Sequence, residues 1–550
     1  MSEELQTLFE TGKYQEVLDQ FTQKEDQNEW GALSEEEQIA CIYYKSRSLE
    51  GVGRYEEALQ TATMARATYP SPKNPSYLLA LLAAQFHIFY IIGQSRLEQA
   101  QSVLAEGEAI METLTDTERQ IGAIWIAVFE HVKGLHYYAK NELDMSLKHY
   151  HKALKSFEAL NNRHGIASCL FWKAYSHTFK GEPDTALEYY QRSLSLYEAL
   201  GNKRGIGECL HDIGLVNAGR GESDTALEYF QRSLSLSEAS GNPEYIFFGL
   251  THIGLIYSHK GDPDKALDFF RQSLAVAEPL GVDWMIAYNF NFIGMAYHQK
   301  SALDIALPFF QSSLAKYETT KSDYNVVRVL FRLVLLNLDQ KELEHAQKYL
   351  IKLQKVAAHI PEEAQGAHLR KSIAEALVLK QNPRMTEKVR AQALLRQIVS
   401  EVEMHAFTMI AIVALCDLLL LELKATGEQE VWEEAKTLIH QFHTKAQDSQ
   451  DFNMVVNALL LRAKFATVEG ELDQTQEYLT QARMIIKEKN LNQLMKKVEI
   501  EQNELENDFH KWQDLIQQHT SLQERLIHAQ LTEYLQEAQR IVQRSPLKDD

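Results

Sequence analysis

Apolar residues recur along this chain at spacings of three and four, the period of a helix with one buried face. Leu210, Ile213, Gly214 and Asn217 share such a face. It returns as Leu250, Ile253, Gly254 and Tyr257, then as Phe290, Ile293, Gly294 and Tyr297. Glycine on that face costs about 1 kcal/mol of helix propensity against alanine, so its recurrence predicts a spot where a neighbouring helix approaches closely. In the helix that follows, Ala186/Tyr190, Ala226/Phe230, Ala266/Phe270 and Ala306/Phe310 repeat one spacing. The small residue seats a crossing and the ring fills the space between units.

Self-comparison gives the period. Thr185 to Asn202 reads TALEYYQRSLSLYEALGN, and Thr225 to Asn242 reads TALEYFQRSLSLSEASGN. The unit continues from Lys265 and Ile305 and extends back to Met145. Turns are predicted at Asn141, Gly181, Gly221, Gly261, Ser301 and Lys341, at intervals of 40 residues. Looser turns fall at Gly12, Gly53 and Ser95 before the block and near Asn382, Gly427 and Gly470 after it, making twelve helix pairs in all. Gly261-Asp262-Pro263-Asp264 offers an acidic N-cap, a proline at the first helical position and a carboxylate in the first turn.

A small residue and an aromatic in the first helix, then A-x3-F in the second, resemble the tetratricopeptide repeat (TPR) signature. The resemblance covers roughly residues 1–490 and is most specific from Asn141 to about Leu350. The unit exceeds the usual length of about 34 residues; it is similar to the subclass of Pins/LGN polarity scaffolds, kinesin light chains and bacterial TPR regulators. The resemblance implies an all-α superhelical solenoid of antiparallel helix pairs, with a concave face lined by the first helices and used for peptides or proteins. The expected divisions are degenerate pairs over 1–140, the regular array over 141–350, irregular pairs over 351–489, a long helical, partly coiled-coil segment over 490–544 and a disordered tail over 545–550.

Helix faces without the core pattern would line the groove. They predict a partner-binding set of His131, Tyr138, Phe171, Trp172, Tyr175, His211, Asp212, Phe248, His252, Tyr288, Asn291, Phe292, His298, Arg328 and Arg332. Amphipathic rings suit a binding surface; the alternative is that the rings bury against one another or against the C-terminal segment. Pins/LGN arrays often place asparagine after the helix glycine, where this chain has Leu215, Leu255 and Met295. An apolar or helical ligand is therefore expected rather than a backbone-gripped extended peptide.

Composition narrows the function. Length alone would suggest three or four domains at about 150 residues each. The balance of 56 basic and 76 acidic residues gives −20, which opposes nucleic-acid binding. Four scattered cysteines form no CxxC pair and read as buried, reduced thiols in a cytoplasmic protein. The acidic start MSEELQTLFE suggests no signal peptide. The apolar runs Tyr77–Gly93 and Met409–Leu423 contain Gln85, His87 and Asp417 and read as buried helices rather than membrane spans.

The 20 histidines include His211, His252, His259 and His298 on one expected face, but adjacent repeats lie about 10 Å apart and converge poorly on a metal. No HExxH, phosphate loop or GxSxG is present. No cofactor and no catalytic residue is expected. The sequence thus predicts a non-catalytic scaffold or adaptor holding an apolar or helical segment of a protein partner. A ligand-responsive TPR regulator is the alternative, and a metal-dependent enzyme using groove histidines the competitor of another class. After about Lys487, Leu491, Val498, Leu505, Trp512 and Leu526 keep a seven-residue register interrupted by Glu501, Asp508 and His519. Two helices are expected there, about Asn490–His519 and Ser521–Arg544, broken near Thr520 with Ser521 and Glu524 as a capping box. They would cap the last repeat or mediate self-association.

Overall fold

A computed structural model of the chain describes all residues except 1, 27–29, 93–95, 362–363, 403–404, 449–451, 489–491, 519, 530 and 545–550. The expected turn at Ser95 and the tail 545–550 lie outside the described residues. Among the described residues there are α-helices and two short 3-10 turns but no strand. They form two compact units, Met1–Ile253 with Gln272–Ile286, and Gly254–Arg271 with Ala287–Asp550. Each is an all-α stack of antiparallel helix pairs, the TPR solenoid architecture.

In unit 1 the pairs are α1 (Ser2–Glu10) with α2 (Tyr14–Asp26), α3 (Glu35–Gly51) with α4 (Tyr55–Thr68), and α5 (Leu78–Ile92) with α6 (Leu97–Thr113). After the short α7 (Asp116–Ile121) come α8 (Ala123–Ala139) with α9 (Leu143–Ala159), α10 (Arg163–Phe179) with α11 (Pro183–Leu200), and α12 (Lys203–Gly219) with α13 (Ser223–Ser240). The division passes through α14 (Pro243–His259), α15 (Pro263–Leu280) and α16 (Asp283–Gln299). Unit 2 continues with α17 (Leu303–Thr319), α18 (Asp323–Asp339), α19 (Leu343–Ala357), α20 (Gln365–Gln381), α21 (Met385–Glu401), α22 (His405–Thr426), α23 (Gln429–Asp448), α24 (Phe452–Glu469) and α25 (Leu472–Glu488). It closes with α26 (Asn492–Gln517), α27 (Leu522–His528) and α28 (Leu531–Arg544).

The regular array is punctuated more finely than its sequence period. A left-handed residue ends each helix at intervals of 20 from Asn141 through Asn161, Gly181 and Gly201 to Lys321 and Lys341. Glycine holds six of these eleven positions because it alone reaches positive φ without a steric penalty. The predicted helix-face glycines Gly214, Gly254 and Gly294, and Gly134 two units before Gly214 in the array, meet aromatic rings. A Cβ at Gly134, Gly214, Gly254 or Gly294 would come within 2.5, 2.8, 2.6 and 2.9 Å of Tyr150, Phe230, Phe270 and Phe310 respectively. The rings could not seat against alanine there, which explains the propensity cost.

A second period-40 device joins the helices of a pair. The buried hydroxyls of Ser193, Ser233, Ser273 and Ser313 donate to the carbonyls of Ala167, Gly207, Phe247 and Ala287, at 2.8, 2.6, 3.0 and 2.7 Å. Asp262 caps α15 as expected, accepting from the Lys265 amide at 3.1 Å.

The two apolar runs are buried helices. In α5, Leu79 through Ala84 are fully covered, and Gln85 is satisfied by Thr63 and Arg66. In α22, Ile410 through Cys416 are covered on every side, and Asp417 pairs with Lys380 of α20 at 2.7 Å. Apolar residues all round such a helix serve packing on several neighbours at once. No helix among the described residues is long and apolar enough to cross a membrane. All four cysteines are buried and unpaired. Burial pushes the Cys41 thiol up to about 11 and raises the other three.

At the C-terminus the break falls where expected, and the Ser521–Glu524 capping box forms in both directions. The following helix differs from expectation: it is divided into α27 and α28. Each piece buries its own apolar face, Leu526 in α27 and Leu531, Leu535, Ala538 and Val542 in α28. The stripe of α28 is used against α22 and α24 of the same chain.

Candidate functional site: a cavity in unit 1

Helices α10 and α12 of unit 1 each begin with an asparagine cap, and both caps do a second job. The Asn162 side-chain oxygen accepts from the Gly165 amide at 2.6 Å while its amide donates to the Glu10 carboxylate at 2.9 Å. Forty residues on, Asn202 accepts from Gly205 at 2.9 Å and donates to the Glu10 carbonyl at 2.9 Å. Arg204 donates to the Gly51 carbonyl at 2.8 Å. Trp284 donates through its indole nitrogen to the Ile91 carbonyl at 3.0 Å. The ends of α1, α3 and α5 are thereby tied to the repeats.

Between them lies a cavity of about 200 Å³. Phe9, Tyr14, Tyr43, Tyr90, Trp125, Phe171, Trp172, Tyr197 and Tyr245 supply most of its rings. Four of its charged groups form two ion pairs, a fifth accepts from neutral amides and the sixth has no contact partner. Arg47 pairs with Glu50, and Arg204 pairs with Glu208 at 2.7 Å while its guanidinium lies 5.1 Å from the Tyr14 ring centroid. Glu10 accepts from the amides of Gln6 and Asn162. Glu244, in the first turn of α14, makes no hydrogen bond or ion pair with any described residue. Arg47 Nε is buried and also lacks an acceptor.

Burial sets the protonation states. It lowers His131 to about 3 and His164 to about 4, with the Arg47 charge adding to both, and holds His87 well below the ordinary imidazole value. These rings are neutral at pH 7. Burial raises the carboxyls instead, Glu244 to about 7 and Glu50 in the same direction.

Of the residues expected in the groove, His131, Phe171 and Trp172 line this cavity. Tyr138 and Tyr175 pack beside it with Trp172 and the exposed Phe179, ring centroids 5.1 to 6.2 Å apart. His211, Asp212 and His252 form a buried relay: Asp212 to His211 Nδ1 at 2.8 Å, then His211 Nε2 to His252 Nδ1 at 2.9 Å. Phe248 stacks on His252, and the cavity residue Tyr245 meets the His211 ring edge-on.

The expected residues of unit 2 are occupied by the chain itself. Phe292 is fully buried, stacked on Phe270 and edge-on to Tyr288, and Asn291 is 1% exposed. Arg328 lies over the Tyr324 ring. His298 bonds to Asp339 at 2.8 Å, and Arg544 of α28 reaches the same carboxylate at 2.8 Å. Arg332 donates to the Gln543 carbonyl at 2.9 Å. The C-terminal helix therefore covers this part of the inner face, the alternative that the sequence had left open.

Tyr14, Arg47, His164, Arg204 and Glu244 were not foreseen. One signal was present: asparagine at 162, 202 and 242 keeps the period of 40 at the helix starts.

Residues 167–239 and, about one unit on, residues 206–278 match the Tetratricopeptide repeat family. This stretch is built of tetratricopeptide repeats. Among solved structures the chain is similar to a Rap protein complexed with competence and sporulation factor (13% identity, covering 76% of this chain and 99% of that one, TM-score 0.44). It is also similar to the apo form of the quorum sensor NprR from B. thuringiensis (13%, 66% and 99%, TM-score 0.47) and to yeast Tom70 (14%, 81% and 95%, TM-score 0.38). No curated protein matches the chain. Among the described residues, no three His, Cys, Asp or Glu side chains of the TPR helices are grouped to hold a metal ion.

Proposed function

We propose that this protein is a non-catalytic interaction scaffold in the cytoplasm, and that it receives a segment of a protein or peptide partner in the cavity of unit 1. The observation that carries this reading is the cavity itself, where rings and partly buried ion pairs surround a carboxylate without a contact partner. A concave site that combines aromatic rings with placed polar and charged groups suits ligand recognition. A cavity of about 200 Å³ is below the roughly 300–1,000 Å³ of ordinary ligand pockets. The partner would insert side chains or a chain end rather than a whole helix.

The second reading, a ligand-responsive regulator, is favoured by one feature. Asn162 and Asn202 fasten Glu10 at the cavity edge, so a ligand beneath would tighten or loosen the α1–α2 pair. Compaction seen by small-angle scattering on ligand addition would support it.

The test is a photo-crosslinking amino acid at Trp172, compared with one at the exposed Ile351. Purification from cells should yield a discrete protein or peptide adduct at position 172 and none at 351. Adducts absent from 172, or equal at both positions, overturn the reading. Phe292 is unsuitable for such a test because it is a core ring.

A further inference from the structure

We infer that the Glu244 side of the unit 1 cavity is a subsite for a cationic nitrogen, the α-ammonium group or a lysine or arginine side chain of the bound segment. The inference rests on the reading of the cavity as a partner site.

The charges around the cavity do not balance. The guanidinium groups of Arg47 and Arg204 face four carboxylates, Glu10, Glu50, Glu208 and Glu244. Three of these already have partners within the chain: two in ion pairs, and Glu10 with two amides. The lining histidines add no positive charge, because burial keeps them neutral. Glu244 has no contact partner; its charge is favoured only through space, by Arg204 and Arg47, and by the first-turn position of α14, where the helix dipole favours a negative charge. An uncompensated carboxylate in a lined cavity costs free energy that an incoming cation returns.

Its surroundings fit a cation as well. Tyr90 and Tyr245 both line the cavity and both feel the Glu244 charge. Aromatic faces attract ammonium and guanidinium groups. An anionic ligand would instead meet the excess carboxylates, since both guanidinium groups are already ion-paired and only Arg47 Nε is without an acceptor.

The raised Glu244 value supports the same assignment and fixes a pH signature. The charged and titratable groups lining the cavity with it are Glu10 of α1, Arg47 and Glu50 of α3, His87 of α5, His131 of α8, His164 of α10, and Arg204 and Glu208 of α12. The hydroxyls of Tyr55, Tyr90, Tyr175 and Tyr245 also feel its charge, which raises each of them. His131 and His164 titrate near 3 and 4, far from neutrality, whereas Glu244 titrates near 7. A cation requires the ionised form, so its binding should strengthen from pH 6 to pH 8.

The experiment uses the immobilised full chain and four synthetic hexapeptide libraries. One has a free amino terminus without lysine or arginine. The second is acetylated and carries one lysine, the third is acetylated with norleucine at that position, and the fourth is acetylated with glutamate there. Retention of the first or second at least tenfold above the third and fourth, lost in Glu244→Gln and greater at pH 8 than at pH 6, is the expected result. Which of the first two is retained separates a chain end from a side chain. Equal retention of the norleucine or glutamate library, or retention unaffected by Glu244→Gln, overturns the cationic subsite and leaves the cavity as a peptide site. No library retained above a blank overturns both. Glu244 makes no hydrogen bond, so the Gln variant should melt like the parent, and its melting curve checks that it is folded.

Discussion

The Asn202 amide donates to the Glu10 carbonyl at 2.9 Å, joining residues 192 positions apart through a side chain that also caps α12. Serine caps a helix about as well as asparagine but has no amide to donate. Asn202→Ser should therefore leave global stability within about 1 kcal/mol while hydrogen exchange over residues 2–26 speeds up. Unchanged protection of those residues would show that α1 and α2 are held by other contacts.

The repeated serine bond makes an additive series. Ser233→Ala removes a buried hydroxyl bonded to the Gly207 carbonyl at 2.6 Å and should cost about 0.5–1.5 kcal/mol. Ser193→Ala, one unit away, should cost the same, and the double variant should show the sum within about 0.5 kcal/mol. Urea unfolding measures all three; a double variant no weaker than either single one would refute independent contributions.

In unit 2, α28 is fixed by its apolar stripe and by Arg544, which bonds Asp339 and Ser301 at 2.8 Å each. Leu535 is fully buried, and an unpaired carboxylate there is incompatible with docking. Leu535→Asp should abolish exchange protection over 531–544 and leave residues 141–219 as protected as before. Protection retained in α28 would count against its docking through that stripe.

Acid should weaken unit 1 earlier than carboxylate protonation alone would. Burial keeps His131 and His211 unprotonated down to about 3 and His164 to about 4, and lowers His87 and His252 as well. In the unfolded chain these rings take protons near pH 6.5. The unfolded state then binds more protons, and stability falls as pH drops from about 6.5 toward 4. Glu50, Asp212 and Glu244, raised by burial, act in the opposite sense but are outnumbered. The slope should reach about 1.4 kcal/mol per pH unit for each unbalanced imidazole. Denaturant midpoints at pH 7.5, 6 and 5 would show it, and a flat or rising series would contradict it.

The helix pairs of the regular array were legible because their causes are local. The Gly214 and Phe230 spacings, the turn at Gly221 and the Ser521–Glu524 cap each involve residues within about one repeat. A small set of contacts repeated every 40 residues leaves a direct trace in the sequence. The same holds for α5 and α22, whose apolar residues on every side announced burial, though not which neighbours would cover them.

The groove was legible only in part. His131, Phe171 and Trp172 reach the cavity because their helix faces follow from the repeat. His298 and Arg332 lie on the equivalent face of unit 2, yet α28 covers them, since an amphipathic helix docks on whatever apolar surface the chain brings within reach.

The sequence by itself determined the elements, their pairing and their period, all set by contacts between near neighbours along the chain. Only the tertiary structure decided that Glu10, Arg47, Arg204 and Glu244 share one cavity. Their meeting depends on small packing angles summed over many helices, and no local pattern of residues records that sum.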